Sequence, residues 1–419
     1  MYIFRELEAK IKPFLNRKEA IAIIGPRQAG KTTFIKHLEE EFLSSKKSVK
    51  FITFEKRADL ELFQNSIEDF KDLISGFQCV IIDEFQYAKD GGQKLKYLYD
   101  TTPVKFIISG SSSLELTFQT GKYMVGRLLD FTLLPFSFRE FLSFADNELY
   151  SLLCKRVGQN PLFDFTAKNG FGQEINRRLS AFLEKFVIYG GYPAVVLSKS
   201  DEEKQKILEN IVDKYLLQDI SGLLKMHTAE ELMKLGRFLS AQTGGMVKFS
   251  DLSNVANLRY VELLKHLNVL EKTFIIKLIR PFFTNRRTEL VKNPKVYFID
   301  AGIRNLLFSD FKPLLNRNDV GALMENHAFT ALFNMGLSSD SPKYWRTKSK
   351  AEVDFVIQQD DVGICPIEIK YSSQKTIGKS YYSFLNKFKP KTGVILTKDY
   401  LGEEKIGATN IRFIPLCYF

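Results

Sequence analysis

Residues 20–33 read Ala20-Ile21-Ala22-Ile23-Ile24-Gly25-Pro26-Arg27-Gln28-Ala29-Gly30-Lys31-Thr32-Thr33. The unbroken apolar run from Ala20 to Ile24 has the character of a buried strand, and TTFIKHLEEEF from Thr32 has that of a helix. Between them lies GxxxxGK[ST]. A glycine-rich turn from strand to helix lets backbone N–H groups curl around a phosphate, where the helix dipole also favours negative charge. Gly25, Pro26, Arg27, Gln28, Ala29, Gly30, Lys31, Thr32 and Thr33 are therefore the expected nucleotide loop. Lys31 is expected to neutralise the β- and γ-phosphates of ATP, and the Thr32 hydroxyl to ligate Mg²⁺.

Outward from this loop, short apolar runs (VKFITFE, CVIIDE, VKFIISG, DFTLL) alternate with charged helical segments as far as residue 134. That is the pattern of a parallel sheet crossed by helices, an α/β domain. Cys79-Val80-Ile81-Ile82-Asp83-Glu84 is an apolar strand ending in acid, the arrangement that holds the metal in such sheets. Asp83 is expected to orient Mg²⁺ directly or through water, and Glu84 to take the proton from the attacking water. The next strand ends in Ser109-Gly110-Ser111, where a hydroxyl either senses the γ-phosphate or forms an ordinary turn. Arg127 could supply positive charge to the transition state, within the chain or from a neighbouring subunit, or could be salt-bridged on the surface.

The chain has 419 residues, 45% of them hydrophobic, enough for several cores of roughly 100 to 200 residues each. Cys79, Cys154, Cys365 and Cys417 lie far apart, with neither a zinc-ligand spacing nor a disulfide framework, which fits a reducing, cytoplasmic setting. No apolar run approaches the roughly 18 residues needed to cross a bilayer, so no membrane partner is expected. The formal charge of +11 favours polyanionic partners, nucleic acid first, against the alternative of a merely solvated basic surface.

Residues 135–228 turn helical and amphipathic, broken by Gly190-Gly191-Tyr192-Pro193, and are expected to form a lid or connector. Residues 229–293 show three short helical patterns and the start of a strand pair, as in a winged helix. In the third helix Val261, Leu264 and Leu267 fall on one face, leaving Arg259, Lys265 and Asn268 for solvent or a DNA groove. Residues 294–419 give a helix, a strand hairpin, a second helix and two further strands, a separate small α/β domain.

Within that last domain, period-two alternation puts Glu352 and Asp354 on one strand face, and Glu368 and Lys370 on one face of the next strand. Pairing of the two strands brings Asp354 near Glu368, with Glu325 of the preceding helix able to complete a carboxylate cluster. Such a cluster can bind Mg²⁺ and activate water against a phosphodiester, with Lys370 stabilising the developing charge. The arrangement resembles the PD-(D/E)xK nuclease fold, although Val353 stands where that pattern often has proline. Three readings stay open: an active metal-dependent nuclease, a domain that binds DNA without cutting it, and a hairpin with ordinary surface charges.

The ordered set GPRQAGKTT, VIIDEFQ, ISGSSS, Gly126-Arg127 followed by LLPFSFREFL, GGYPAV and YLLQDI is similar to archaeal and bacterial AAA-type ATPases that carry a C-terminal domain of unknown function. The resemblance runs from about residue 18 to the C-terminal strands. It implies a P-loop AAA-type ATPase domain over 1–134, a helical lid over 135–228, a winged helix over 229–293 and a nuclease-like domain over 294–419, with ATP and Mg²⁺ as cofactors. DNA is the expected macromolecular partner. A homo-oligomer, or a signalling or toxin–antitoxin-like switch acting on a protein partner, is the alternative.

Overall fold

The computed structural model describes residues 2–110, 123–158, 161–214, 229–283, 289, 292–336, 342–359 and 363–419. They form two compact units, Met1–Pro135 with Asn268–Ile275, and Phe136–Leu267 with Ile276–Phe419. No helix among the described residues is long and apolar enough to cross a membrane.

The first unit is built on five strands, β1 (Ala20–Ile24), β2 (Val49–Thr53), β3 (Cys79–Asp83), β4 (Lys105–Gly110) and β5 (Leu128–Thr132). All pairings are parallel and the spatial order is β2-β3-β4-β1-β5. Alternate side chains enter opposite faces. Ala20, Ala22, Val80, Ile82, Phe106 and Ile108 join one core cluster, whereas Ile21, Ile23, Cys79, Ile81 and Ile107 join another. A strand buried on both faces has no polar phase, which is why these runs are continuous rather than alternating. The order sets the carboxyl ends of β1, β4 and β3 side by side, and ligands of open parallel sheets bind at that edge.

The second unit begins with helices Phe138–Ala145, Asn147–Val157, Gln173–Tyr189 and Asp201–Val212. Ser137 accepts the Glu140 N–H and Glu140 accepts the Ser137 N–H, a reciprocal cap that starts the first of these helices. Three more helices follow (Ala229–Ala241, Phe249–Ala256, Tyr260–Lys272), then β6 (Ile276–Ile279) antiparallel to β7 (Lys295–Phe298). The third helix departs from expectation. Leu267 is buried as expected, but Leu263, His266, Val269 and Leu270 are the other buried positions, while Val261 is 63% and Leu264 38% exposed.

After helices Ala301–Phe308 and Val320–Asn334 comes a six-stranded mixed sheet of β8 (Lys343–Arg346), β9 (Glu352–Gln359), β10 (Gly363–Lys370), β11 (Thr392–Thr397), β12 (Gly402–Ile406) and β13 (Thr409–Pro415). Its order is β12-β13-β11-β10-β9-β8, parallel between β10 and β11 and between β11 and β13. Trp345, Val353, Val356, Tyr381, Phe384, Ile395, Ile411 and Phe413 share its core. Strand β12, Gly402-Glu403-Glu404-Lys405-Ile406, is absent from the expected element list. It is a charged edge strand, a device that blocks further strand addition, and carries little apolar signal.

The Gly190-Gly191 break closes the helix Gln173–Tyr189 and gathers three segments. Gly191 N–H donates to Asp300 Oδ2 at 2.7 Å, and Asp300 Oδ1 caps the next helix through Ile303 N–H at 3.0 Å. A Cβ on Gly191 would lie 2.1 Å from the Phe136 carbonyl oxygen. Gly191→Ala is therefore expected to cost about 1–3 kcal/mol through forced backbone displacement. The check is the urea midpoint, which should fall at constant m-value.

Candidate functional site

The loop from Gly25 to Lys31 leaves β1 over a backbone approach that only glycine fits: a Cβ on Gly25 would stand 2.0 Å from the Leu133 carbonyl oxygen. Gly30 holds φ 93° and ψ 21°, the left-handed turn that starts the helix Lys31–Ser44. Lys31 is 5% exposed, and its ammonium donates to the carbonyls of Gly25 at 3.0 Å and Pro26 at 2.8 Å. Burial pushes its pKa down to about 8, against the opposing pull of the Glu84 and Asp83 carboxylates.

At the tip of β3, Asp83 is 3% exposed and accepts the Thr32 hydroxyl at 2.7 Å. Its other oxygen accepts the fully buried Ser109 hydroxyl and the Glu84 N–H. Ser109 thus lies beside Asp83 as the strand order requires, but its proton is engaged with that carboxylate and its oxygen also accepts Glu84 N–H at 3.2 Å. Glu84 is partly buried, and burial is the largest cause raising its carboxyl pKa. The Gln86 side-chain amide donates to Glu84 Oε2. Thr32 and Asp83 present hard oxygen donors already 2.7 Å apart, a set that fits Mg²⁺ and requires no sulfur or imidazole.

Two further expected participants are Ser111 and Arg127. Ser111 lies outside the described residues. Arg127 precedes β5 at the amino end of the sheet, where its carbonyl accepts Ala20 N–H, while the phosphate loop leaves the carboxyl end of β1. A strand of five residues at about 3.3 Å each separates them. Its guanidinium pairs with Asp100 at 3.0 Å, so Arg127 has no reach to the loop of its own chain. That corrects the within-chain role. Arg5, which carried no motif, is 4% exposed and donates to the carbonyls of Ala29, at 3.0 Å, and Leu134, tying the loop to the segment after β5.

In the second unit the register sets Phe355 opposite Ile367, which puts Asp354 and Glu368 on neighbouring strands. Asp354 accepts Ile369 N–H at 2.8 Å, and Glu368 pairs with Lys370 at 2.8 Å. Burial, then the charges of Glu325 and Glu368, raise the Asp354 carboxyl well above its ordinary range. Two unforeseen residues of β7 enter here: Lys295, paired with Glu325 at 3.0 Å and Glu352 at 2.6 Å, and Tyr297, whose hydroxyl donates to Glu325 at 2.6 Å. Among the described residues no three Asp, Glu, His or Cys side chains are arranged to hold a metal ion. The expected metal ligands Glu325, Asp354 and Glu368 are brought together, and one oxygen of each is engaged, by Lys295 and Tyr297, by a backbone N–H and by Lys370 respectively.

Family models match three stretches: an AAA domain over residues 17–142, a domain of unknown function (DUF8612) over 181–314, and a second (DUF4143) over 320–419. An uncharacterized protein of Mycobacterium tuberculosis is 24% identical over 386 residues, covering 91% of this chain and 77% of its own length. An uncharacterized protein of Methanocaldococcus jannaschii is 22% identical over 422 residues, with 98% and 86% covered. Among solved structures, AMPPCP-bound DnaA from Aquifex aeolicus is similar at a TM-score of 0.30 and 13% identity, covering 64% of this chain and 89% of that one. The Aeropyrum pernix ORC1 protein in complex with DNA gives 0.29 and 12%, covering 74% and 93%. The AAA domain model thus falls on the stretch that carries the parallel sheet and the glycine loop after β1.

A phosphate next to Lys31 should hold its proton where the unliganded loop sheds it. ATP affinity is therefore expected to stay level below about pH 8 and to fall above it, with proton uptake on binding between about pH 8 and about pH 10. Calorimetry in buffers of differing ionisation enthalpy reads that uptake directly. Affinity unchanged through this window contradicts the assignment.

Proposed function

We propose that this chain binds ATP with Mg²⁺ on the loop Gly25–Thr33, hydrolyses it, and uses the change of nucleotide state to act on DNA through residues 229–293. The observation that carries the first part is the Lys31 ammonium, buried and hydrogen-bonded to two neutral carbonyls, beside a Thr32–Asp83 pair of oxygens. Exchanging those carbonyls for phosphate oxygens replaces neutral acceptors by anionic ones, whose hydrogen bonds are about twice as strong.

In this reading Thr32 and Asp83 would hold the Mg²⁺, which when bound would supply positive charge to the phosphate oxygens. Lys31 draws the terminal phosphates into the loop. Glu84 accepts the proton of the attacking water, and its raised pKa makes it a better base than an exposed carboxylate. Gln86 orients that carboxylate, and Ser109 fixes both Asp83 and the Glu84 backbone. Arg127 is assigned no role within one chain. Lys31→Ala is expected to lower ATP turnover by a factor of about 10² or more, and Glu84→Gln by about 10²–10⁴, with circular dichroism unchanged. Parental turnover in folded Lys31→Ala protein would refute the site.

Three helices followed by the antiparallel β6–β7 pair support a winged-helix reading of residues 229–293. Arg259, Lys265 and Asn268 are exposed on or beside its third helix, and the chain carries a formal +11. The same helix exposes Tyr260 (55%) and Val261 (63%), which favours a second reading, an ATP-driven switch that docks a protein partner. Phosphate contacts predict that log affinity for a short DNA duplex falls with log salt at a slope of about −0.9 per contact. Mobility shift or anisotropy across a salt series measures the slope, and negligible, salt-independent binding selects the protein partner.

A further inference from the structure

We propose that Lys295 is the built-in cation of the carboxylate cluster in the C-terminal sheet, and that this cluster takes no divalent metal. The inference is independent of the nucleotide site, because every residue it uses belongs to the second unit.

The cluster draws on several elements. Glu325 comes from the helix Val320–Asn334, Glu352 and Asp354 from β9, and Glu368 from β10. Lys295 arrives from β7, outside the hairpin that carries the nuclease-like pattern, and its side chain is 2% exposed. Its ammonium lies 3.0 Å from Glu325 Oε1 and 2.6 Å from Glu352 Oε1, bridging helix and sheet. Tyr297, two residues on and so on the same strand face, fixes Glu325 Oε1 with its hydroxyl at 2.6 Å. Arg346 holds the other Glu352 oxygen, and Lys370 holds Glu368 Oε1.

Four carboxylates thus meet three cations already supplied by the chain. Mg²⁺ demands near-octahedral oxygen donors at about 2.0–2.1 Å and gives up its waters reluctantly. Here one Glu325 oxygen accepts both the ammonium and the phenol, and Asp354 Oδ2 accepts a backbone N–H. Glu325 Oε2, Asp354 Oδ1 and Glu368 Oε2 accept no hydrogen bond among the described residues, so what keeps a divalent ion out is the Lys295 charge. A divalent ion entering would meet the like charge of a buried ammonium that has nowhere to go. Lys295 therefore occupies, electrostatically, the place a metal would take, and it joins the β6–β7 pair to the sheet while doing so.

The test is Mn²⁺ binding by electron paramagnetic resonance on nucleotide-free, full-length protein in an Asp83→Asn background, which removes the first unit's metal carboxylate from the readout. The Lys295-containing protein is expected to bind no Mn²⁺ at millimolar concentration. Lys295→Met is expected to gain one Mn²⁺ per chain, lost again on adding Asp354→Asn. Should Lys295→Met fail to fold, Lys295→Met/Glu325→Gln removes the pair together and is expected to gain the same ion. Mn²⁺ binding by the Lys295-containing protein that Asp354→Asn abolishes would overturn the proposal, as would a folded Lys295 variant that gains none.

Discussion

A buried lysine ammonium is expensive unless its charge is compensated, and Lys31 is buried with the Glu84 and Asp83 carboxylates near it. Two carbonyls of its own loop, Gly25 and Pro26, are its direct acceptors, and burial drags its pKa to about 8. The loop geometry exists to bring that charge to the end of β1. Gly25 permits the close pass over the Leu133 carbonyl, and Gly30 turns the chain into the helix. In the proposed function, phosphate oxygens take the place of those carbonyls as acceptors of the ammonium.

What surrounds Lys31 follows from strand order. Because β4 lies between β3 and β1, the residues at their carboxyl ends converge: Asp83 and Glu84, Ser109, and the loop itself. Ser109 is the hinge of this group, binding Asp83 through its proton and the Glu84 backbone through its oxygen. The second unit treats charge differently. Glu325, Glu352 and Glu368 there are paired inside the chain with Lys295, Arg346 and Lys370, whereas Glu368 Oε2 stays without a hydrogen-bond partner among the described residues.

Much of this was legible in the sequence, for identifiable reasons. Strands buried on both faces leave continuous apolar runs, and the phosphate loop announces itself by glycine spacing, so the first sheet and the placement of Asp83 beside Thr32 could be read directly. The hairpin pairing that puts Asp354 next to Glu368 followed from alternation alone. Contacts made by single polar residues far apart in sequence left no pattern: Arg5 on the Ala29 carbonyl, and Lys295 between Glu325 and Glu352. Strand β12 hid behind its charges, and the helix Tyr260–Lys272 misled because His266 occupies a buried position that hydrophobicity counting passes over. Arg127 shows the limit of motif order, since adjacency in sequence placed it at the wrong end of the sheet.

The proposed function assigns nucleotide binding to the first sheet and macromolecular contact to the exposed basic and apolar helix of residues 260–272. The most direct test of its central claim is a structure with Mg²⁺ and a non-hydrolysable ATP analogue. The account predicts the Lys31 ammonium moved from the Gly25 and Pro26 carbonyls onto the terminal phosphates, with Thr32 and Asp83 flanking the metal. Nucleotide bound elsewhere, with Lys31 still on those carbonyls, would contradict it.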